Sequence, residues 1–180
     1  CRLCWSAESA GAKPGRLGSN LHFAQHSNVD IIAEVKRIIA NDCRVDKLNS
    51  LDYFPSNYCN YACVMCDGSA SSQRYVIEVK NGSPARHIIN PVASDFLHLL
   101  KDVKILGFTG GETILQPEVH EVMDYLIAQD LAKNIVITML TNASSFPEKI
   151  IEKFKQFKRV LYTVSIDGVG DVIENNITYA

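Results

Sequence analysis

Three thiols stand in a short run, Cys59-Asn-Tyr-Ala-Cys63-Val-Met-Cys66, with the spacing C-x3-C-x2-C. Cysteines this close in sequence are poorly placed to bridge one another and well placed to converge on one metal centre. Thiolates are soft, charged ligands, and three of them satisfy three of the four irons of a cubane cluster, leaving the fourth open to a substrate. That asymmetry carries the functional point, because a cluster that only transfers electrons normally takes four cysteines. Joined by a histidine such as His22 or His26, the same triplet would instead hold structural zinc. A second pair, Cys1-Arg-Leu-Cys4 ahead of Trp5, adds two candidate ligands, with Trp5 expected to pack beneath their loop. Cys43 reads as an ordinary residue near a helix end, and none of His22, His26, His87, His98 and His120 shows ligand spacing among the histidines.

Such ligands need a rigid frame, and the sequence supplies the signs of one. Leu48–Phe54 alternates as a strand, and Pro55-Ser56-Asn57 turns it into the cysteine loop. Further on, strands are expected over Lys104–Phe108, Ile135–Leu140 and Val160–Ile166, and helices over Val92–Val103, Pro117–Leu131 and Pro147–Phe157. Strands alternating with helices imply βαβ units on a parallel sheet. The fold class expected is therefore α/β, a partial parallel barrel of about four βα units, since a closed eight-stranded barrel needs about 250 residues. A new helix is expected from Asp171. Between the cysteines and the second strand, Arg74–Lys80 reads as β-rich, with Asn81-Gly82 as a hairpin turn and a second arm through His87-Ile88-Ile89. Ahead of the first strand, residues 5–28 read as a loop or short helix, and the apolar spacing from Asp30 to Ile39 as a helix ended by Asn41-Asp42.

Polar or small residues recur where the expected strands end: Gly110-Gly111-Glu112 after the second, Thr141-Asn142 after the third, and Ser165-Ile166-Asp167-Gly168 after the fourth. Ligands of α/β sheets bind at the carboxyl ends of the strands. Each element read alone is also an ordinary turn. Taken in this order behind the cysteine triplet, they resemble the signature of the radical S-adenosylmethionine superfamily. The resemblance implies a (β/α)6 core in which Cys59, Cys63 and Cys66 hold a 4Fe–4S cluster. Its open iron would bind S-adenosylmethionine, whose reductive cleavage yields a 5′-deoxyadenosyl radical that abstracts hydrogen from a substrate. The Gly110-Gly111 backbone and Glu112 would then hold the methionyl end, Glu112 by a charge-assisted bond to its ammonium. Asn142, Ser165 and Asp167 would contact the methionyl or ribose parts. Met65 stands where many members carry an aromatic residue near the adenine, and its polarizable thioether can still pack on a flat ring. Cys1 and Cys4 resemble the end of a SPASM- or twitch-like module and imply an auxiliary iron–sulfur cluster, with a zinc knuckle or redox dithiol as the other readings. No separate catalytic side chain is assigned.

The domain organisation expected is the tail of a Cys module over 1–28, a linker helix over 29–47 and the first part of the core over 48–180. Beginning on Cys1 and ending on Ala180, the chain reads as part of a longer protein and is expected to bind cofactor weakly alone. With 18 basic and 20 acidic residues, a net charge of -2 and no basic stripe, nothing suggests nucleic acid or a membrane surface. Reduced cysteines used as ligands suggest a cytoplasmic protein. The partners expected are a small-molecule or peptide substrate and an electron donor such as a flavodoxin or ferredoxin. A zinc-stabilised binding module and an iron–sulfur electron carrier are the alternatives.

Overall fold

The run Ile105–Phe108 is buried along its whole length, the pattern of a strand covered on both faces. In a computed structural model, which describes residues 2–84, 91–166 and 168, it is the second strand of a parallel sheet. The strands β1 (Ser50–Tyr53), β2 (Ile105–Phe108), β3 (Val136–Thr141) and β4 (Arg159–Val164) lie side by side in chain order. The helices among the described residues are α1 (Arg2–Ser9), α2 (Gly15–Ser27), α3 (Ile31–Ala40), α4 (Ser72–Lys80), α5 (Pro117–Ala128) and α6 (Glu148–Phe154). This is the expected α/β architecture, a partial parallel (β/α) barrel.

The register places Tyr53 opposite Phe108, Phe108 opposite Met139 and Leu106 opposite Ile137. Alternation puts these five side chains on one face of the sheet, and all are buried. Helix α5 opens on Pro117, whose missing N–H is no loss at a helix start. It buries Val119, Val122, Met123 and Leu126, spaced as one helical face. On the opposite sheet face, Asp52 pairs with Gly107, and a Cβ on Gly107 would lie 2.0 Å from the Asp52 carboxylate.

Two corrections concern the crossovers. Residues 74–80 form α4 rather than a hairpin arm. Ser71 caps it by accepting the Arg74 N–H at 3.2 Å, and Asn81-Gly82 closes it instead of turning a hairpin. The Ser83 and Gly82 amides donate to the Glu78 and Val79 carbonyls, with Gly82 at φ +87°, which is the glycine-terminated helix ending. Tyr75 and Glu78, three residues apart, both turn toward Gly68, so tertiary contact outweighs the β preference of Tyr75, Val76, Ile77 and Val79. The stretch expected as one helix over 92–103 is two short 3-10 turns, Ala93–Asp95 and Leu97–Asp102. They break at Phe96 (φ -127°), whose ring lies 4.6 Å from that of Tyr53. The arm expected through His87 and the helix expected from Asp171 lie outside the described residues.

The chain divides into two compact units, Cys1–Leu48 and Asn49–Ala180. In the first, residues 5–28, expected as a loop or short helix, fall largely in two helices, α1 and α2, and α2 ends on Asn28 in the left-handed region at φ 60°. Trp5 is accordingly on a helix and 59% exposed, not packed beneath a loop. Helix α3 starts as expected, with Asp30 accepting the Ala33 N–H at 3.0 Å. Its Arg37 holds Glu34 through two bonds of 2.9 Å and reaches Asp46 at 2.6 Å. Among the described residues, no helix is long and apolar enough to cross a membrane.

Burial raises the Tyr53 hydroxyl from 10.0 to about 12, with the charges of Glu118 and Glu121 adding. Its folded form therefore holds the proton more tightly than the unfolded chain. The stability this contributes is complete below the unfolded value near 10 and is lost as pH rises through about 12. Tyr53 also donates to the Pro91 carbonyl at 2.9 Å. Tyr53→Phe should cost about 1 kcal/mol at neutral pH, and urea denaturation should show the gap to wild type narrowing across that alkaline window.

Candidate functional site

The cysteine loop leaves β1 at Tyr53 and runs directly over the end of β2. Thr109, Gly111 and Glu112 donate backbone N–H groups to the carbonyls of Tyr53, Ser56 and Tyr58 at 3.0, 3.2 and 2.8 Å. Two main chains can lie this close only without side chains between them. A Cβ on Gly110 would sit 2.6 Å from the Ser56 carbonyl oxygen, and one on Gly111 would sit 2.0 Å from that of Tyr58. Gly110 also adopts φ +129°, which side chains avoid. The glycine pair is thus explained first by the approach of the cysteine loop, and only beyond that by room for a ligand.

Side chains then fasten the loop at three places. The fully buried Gln116 accepts from both the Ser56 N–H at 3.1 Å and the Ser56 hydroxyl at 3.0 Å. The start of α4 holds the middle: Ser72 Oγ accepts from the Cys59 N–H and donates to the Cys59 carbonyl, both at 3.2 Å, while Ser71 Oγ donates to the Tyr61 carbonyl at 2.5 Å. Asn57 Nδ2 donates to the Gly68 carbonyl at 2.8 Å, closing the loop on itself.

Glu112 lies at the centre of the strand ends, 1% exposed. Its carboxylate accepts from Thr141 Oγ1 at 2.6 Å, from the Asn142 N–H at 2.6 Å and from the Ile114 N–H at 3.3 Å. Thr113 Oγ1 adds a bond of 2.6 Å to the Leu140 carbonyl, so the exits of β2 and β3 are tied together. Asn142 in turn reaches the cysteine loop: its Nδ2 donates to Asn60 Oδ1 at 3.0 Å and stands 4.0 Å from Cys59 Sγ.

A cavity of 220 Å³ opens between these pieces, lined among others by Cys59, Cys63, Cys66 and Glu112. The three cysteines are thiols, not disulfides. Among the described residues no three acidic, thiol or imidazole groups close around a point where a single ion would sit. All three thiols border one cavity, and thiolates are the ligands an iron–sulfur cluster takes. Burial pushes the Cys59 thiol up, with the charges of Glu112 and Cys66 adding and the Tyr61 N–H opposing. Metal loading would therefore displace a proton from Cys59.

Gly110, Gly111, Asn142, Ser165 and Met65 line the same cavity. Met65 is 55% exposed, and Ser165 donates its backbone N–H to the Thr141 carbonyl at 2.9 Å. Cys1 and Asp167 lie outside the described residues, and Cys4 is half-buried on α1 in the other unit. Sequence reasoning passed over Ser56, Asn60 and Gln116, whose importance is set by partners up to 82 positions away. It also gave Thr141 no role of its own, though the threonine stands beside Asn142 at a strand end.

The profile of the Radical SAM superfamily matches residues 53–178. The chain belongs to the radical SAM superfamily. It is 31% identical over 118 residues to an AdoMet-dependent heme synthase of Methanosarcina barkeri, covering 66% of this chain and 31% of that protein. It is 29% identical over 132 residues to an uncharacterized protein of Methanocaldococcus jannaschii, covering 72% of this chain and 43% of the other. It therefore spans less than half the length of these curated relatives. Among solved structures, Streptococcus suis SuiB bound to precursor peptide SuiA shares the fold at a TM-score of 0.50 and 16% identity, over 79% of this chain and 30% of that one.

If the glycines serve the loop contact, Gly111→Ala should destabilise the protein by about 1–3 kcal/mol through overpacking and reduce its iron content after reconstitution. Gly18→Ala, where a Cβ would meet nothing within 4 Å, is the matched control and should do neither. Thermal unfolding and iron analysis of the two variants check this.

Proposed function

We propose that this chain is the cluster- and cofactor-binding part of a radical S-adenosylmethionine enzyme. Cys59, Cys63 and Cys66 would hold a 4Fe–4S cluster, with S-adenosylmethionine beside it in the same cavity. When bound, the pair supplies reductive cleavage of the sulfonium to methionine and a 5′-deoxyadenosyl radical able to take hydrogen from an unactivated carbon.

The observation carrying this reading is Glu112. A carboxylate with 1% exposure, meeting only neutral donors and no cation among the described residues, is an incomplete electrostatic site. It borders the cavity that three thiols share. An amino acid's ammonium supplies the missing positive charge by a charge-assisted bond. The Thr141 hydroxyl and the Asn142 N–H aim the carboxylate, and Met65 offers a polarizable surface for a flat ring. The name of the Methanosarcina barkeri relative supports S-adenosylmethionine as the cofactor. The whole enzyme would draw single electrons from a donor such as a flavodoxin or ferredoxin and act on a small molecule or peptide.

Anaerobic reconstitution of the intact protein should give iron and sulfide in cluster proportion, and dithionite should release 5′-deoxyadenosine from S-adenosylmethionine. Cys63→Ala should abolish both. Glu112→Gln should keep the cluster yet bind S-adenosylmethionine about ten- to a hundredfold more weakly, as loss of a charged hydrogen bond predicts. Stoichiometric zinc without sulfide, and no cleavage, would overturn the proposal in favour of a structural module. A cluster that leaves S-adenosylmethionine intact would point to an electron carrier.

A further inference from the structure

The Asn142 side chain has a task other than contacting a cofactor. Its orientation is not open to choice: Oδ1 accepts from the Ser144 N–H at 2.9 Å, and a backbone amide can only donate. Nδ2 is therefore turned toward the cysteine loop. One of its hydrogens goes to Asn60 Oδ1 at 3.0 Å, and the other faces Cys59 Sγ at 4.0 Å, the outer limit for a sulfur acceptor. Both amide protons are thus committed to the loop. Cys59 Sγ also accepts the Tyr61 N–H at 3.4 Å, so two N–H dipoles converge on the sulfur of a residue that is 9% exposed. The Asn142 backbone is pinned independently by Glu112 at 2.6 Å, which holds the amide in place from the β3 side.

We propose that Asn142 is a positioning residue for the cluster that raises its reduction potential, through an N–H···S interaction with the Cys59 thiolate. This rests on the cluster-binding reading above. The reduced cluster carries one more negative charge than the oxidised one, so a donor aimed at a ligand sulfur stabilises the reduced form more. Burial strengthens the effect by removing competing water. The same residue meets Glu112, which borders the cofactor cavity, through its backbone N–H and the cluster loop through its side chain. Potential and the aim of the Glu112 carboxylate would then meet at one residue.

The test is a redox titration of the reconstituted intact protein, followed by electron paramagnetic resonance, for wild type, Asn142→Leu, Asn142→Asp and Ser144→Ala. Asn142→Leu should lower the ratio of reduced to oxidised cluster at fixed potential about tenfold, equivalent to about 59 mV for one electron. Asn142→Asp, which sets a carboxylate where the donor stood, should lower it further. Ser144→Ala removes only the hydroxyl that accepts from Asn60 Nδ2 at 3.0 Å and should match wild type. An unchanged potential in Asn142→Leu overturns the proposal. Loss of the cluster from both Asn142 variants overturns it as well, since the residue would then hold the loop and tune nothing. Absence of a cluster from the wild type would instead defeat the cluster-binding reading itself.

Discussion

A carboxylate withdrawn from water must be surrounded by donors, and the upper end of this sheet is arranged to meet that demand at Glu112. Its partners come from the following turn (Ile114) and from the end of β3 (Thr141, Asn142), so solvating one charge fixes two strand exits relative to each other. The Glu112 backbone N–H donates to Tyr58, which extends the same constraint to the cysteine loop. A single buried anion thus sets the spacing of the parts that line the cavity. Each of its bonds among the described residues comes from a neutral donor.

The loop itself is located by main chain more than by side chains. Gly110 and Gly111 permit carbonyl-to-amide contacts that depend on backbone alone, and Gln116 and the α4 serines add fastenings from below and from the side. If the loop holds a cluster, as proposed, this redundancy would guard its thiols against the small displacements that spoil simultaneous bonding.

Much of this arrangement was legible in the sequence, and what was missed has a common cause. The four strands, α3 and α5 follow from local periodicity, and the site motifs from their position at strand ends. Residues 74–80 misled because a Val-Ile-Glu-Val stretch and an Asn-Gly pair carry the same local signal in a hairpin and in a capped helix. The difference lies in Gly68, which makes room for the Tyr75 backbone and donates to Glu78. The break at Phe96 likewise depends on Tyr53, 43 positions earlier in the chain and visible only in the folded packing. The same holds for Gln116: nothing in its own neighbourhood says that a buried amide will meet Ser56. The glycine pair was recognised, but nothing in its local sequence says that the cysteine loop lies against it.

The order of the sheet has a consequence for how the protein is made. Strand neighbours in space are neighbours in sequence, so every strand after β1 finds a partner already made. The residues that line the cavity fall between Cys59 and Ser165. During synthesis at roughly 5–20 residues per second, this pocket can be assembled as soon as β4 clears the ribosome. Vectorial assembly of this kind would let a nascent polypeptide shelter its thiols as soon as β4 has paired.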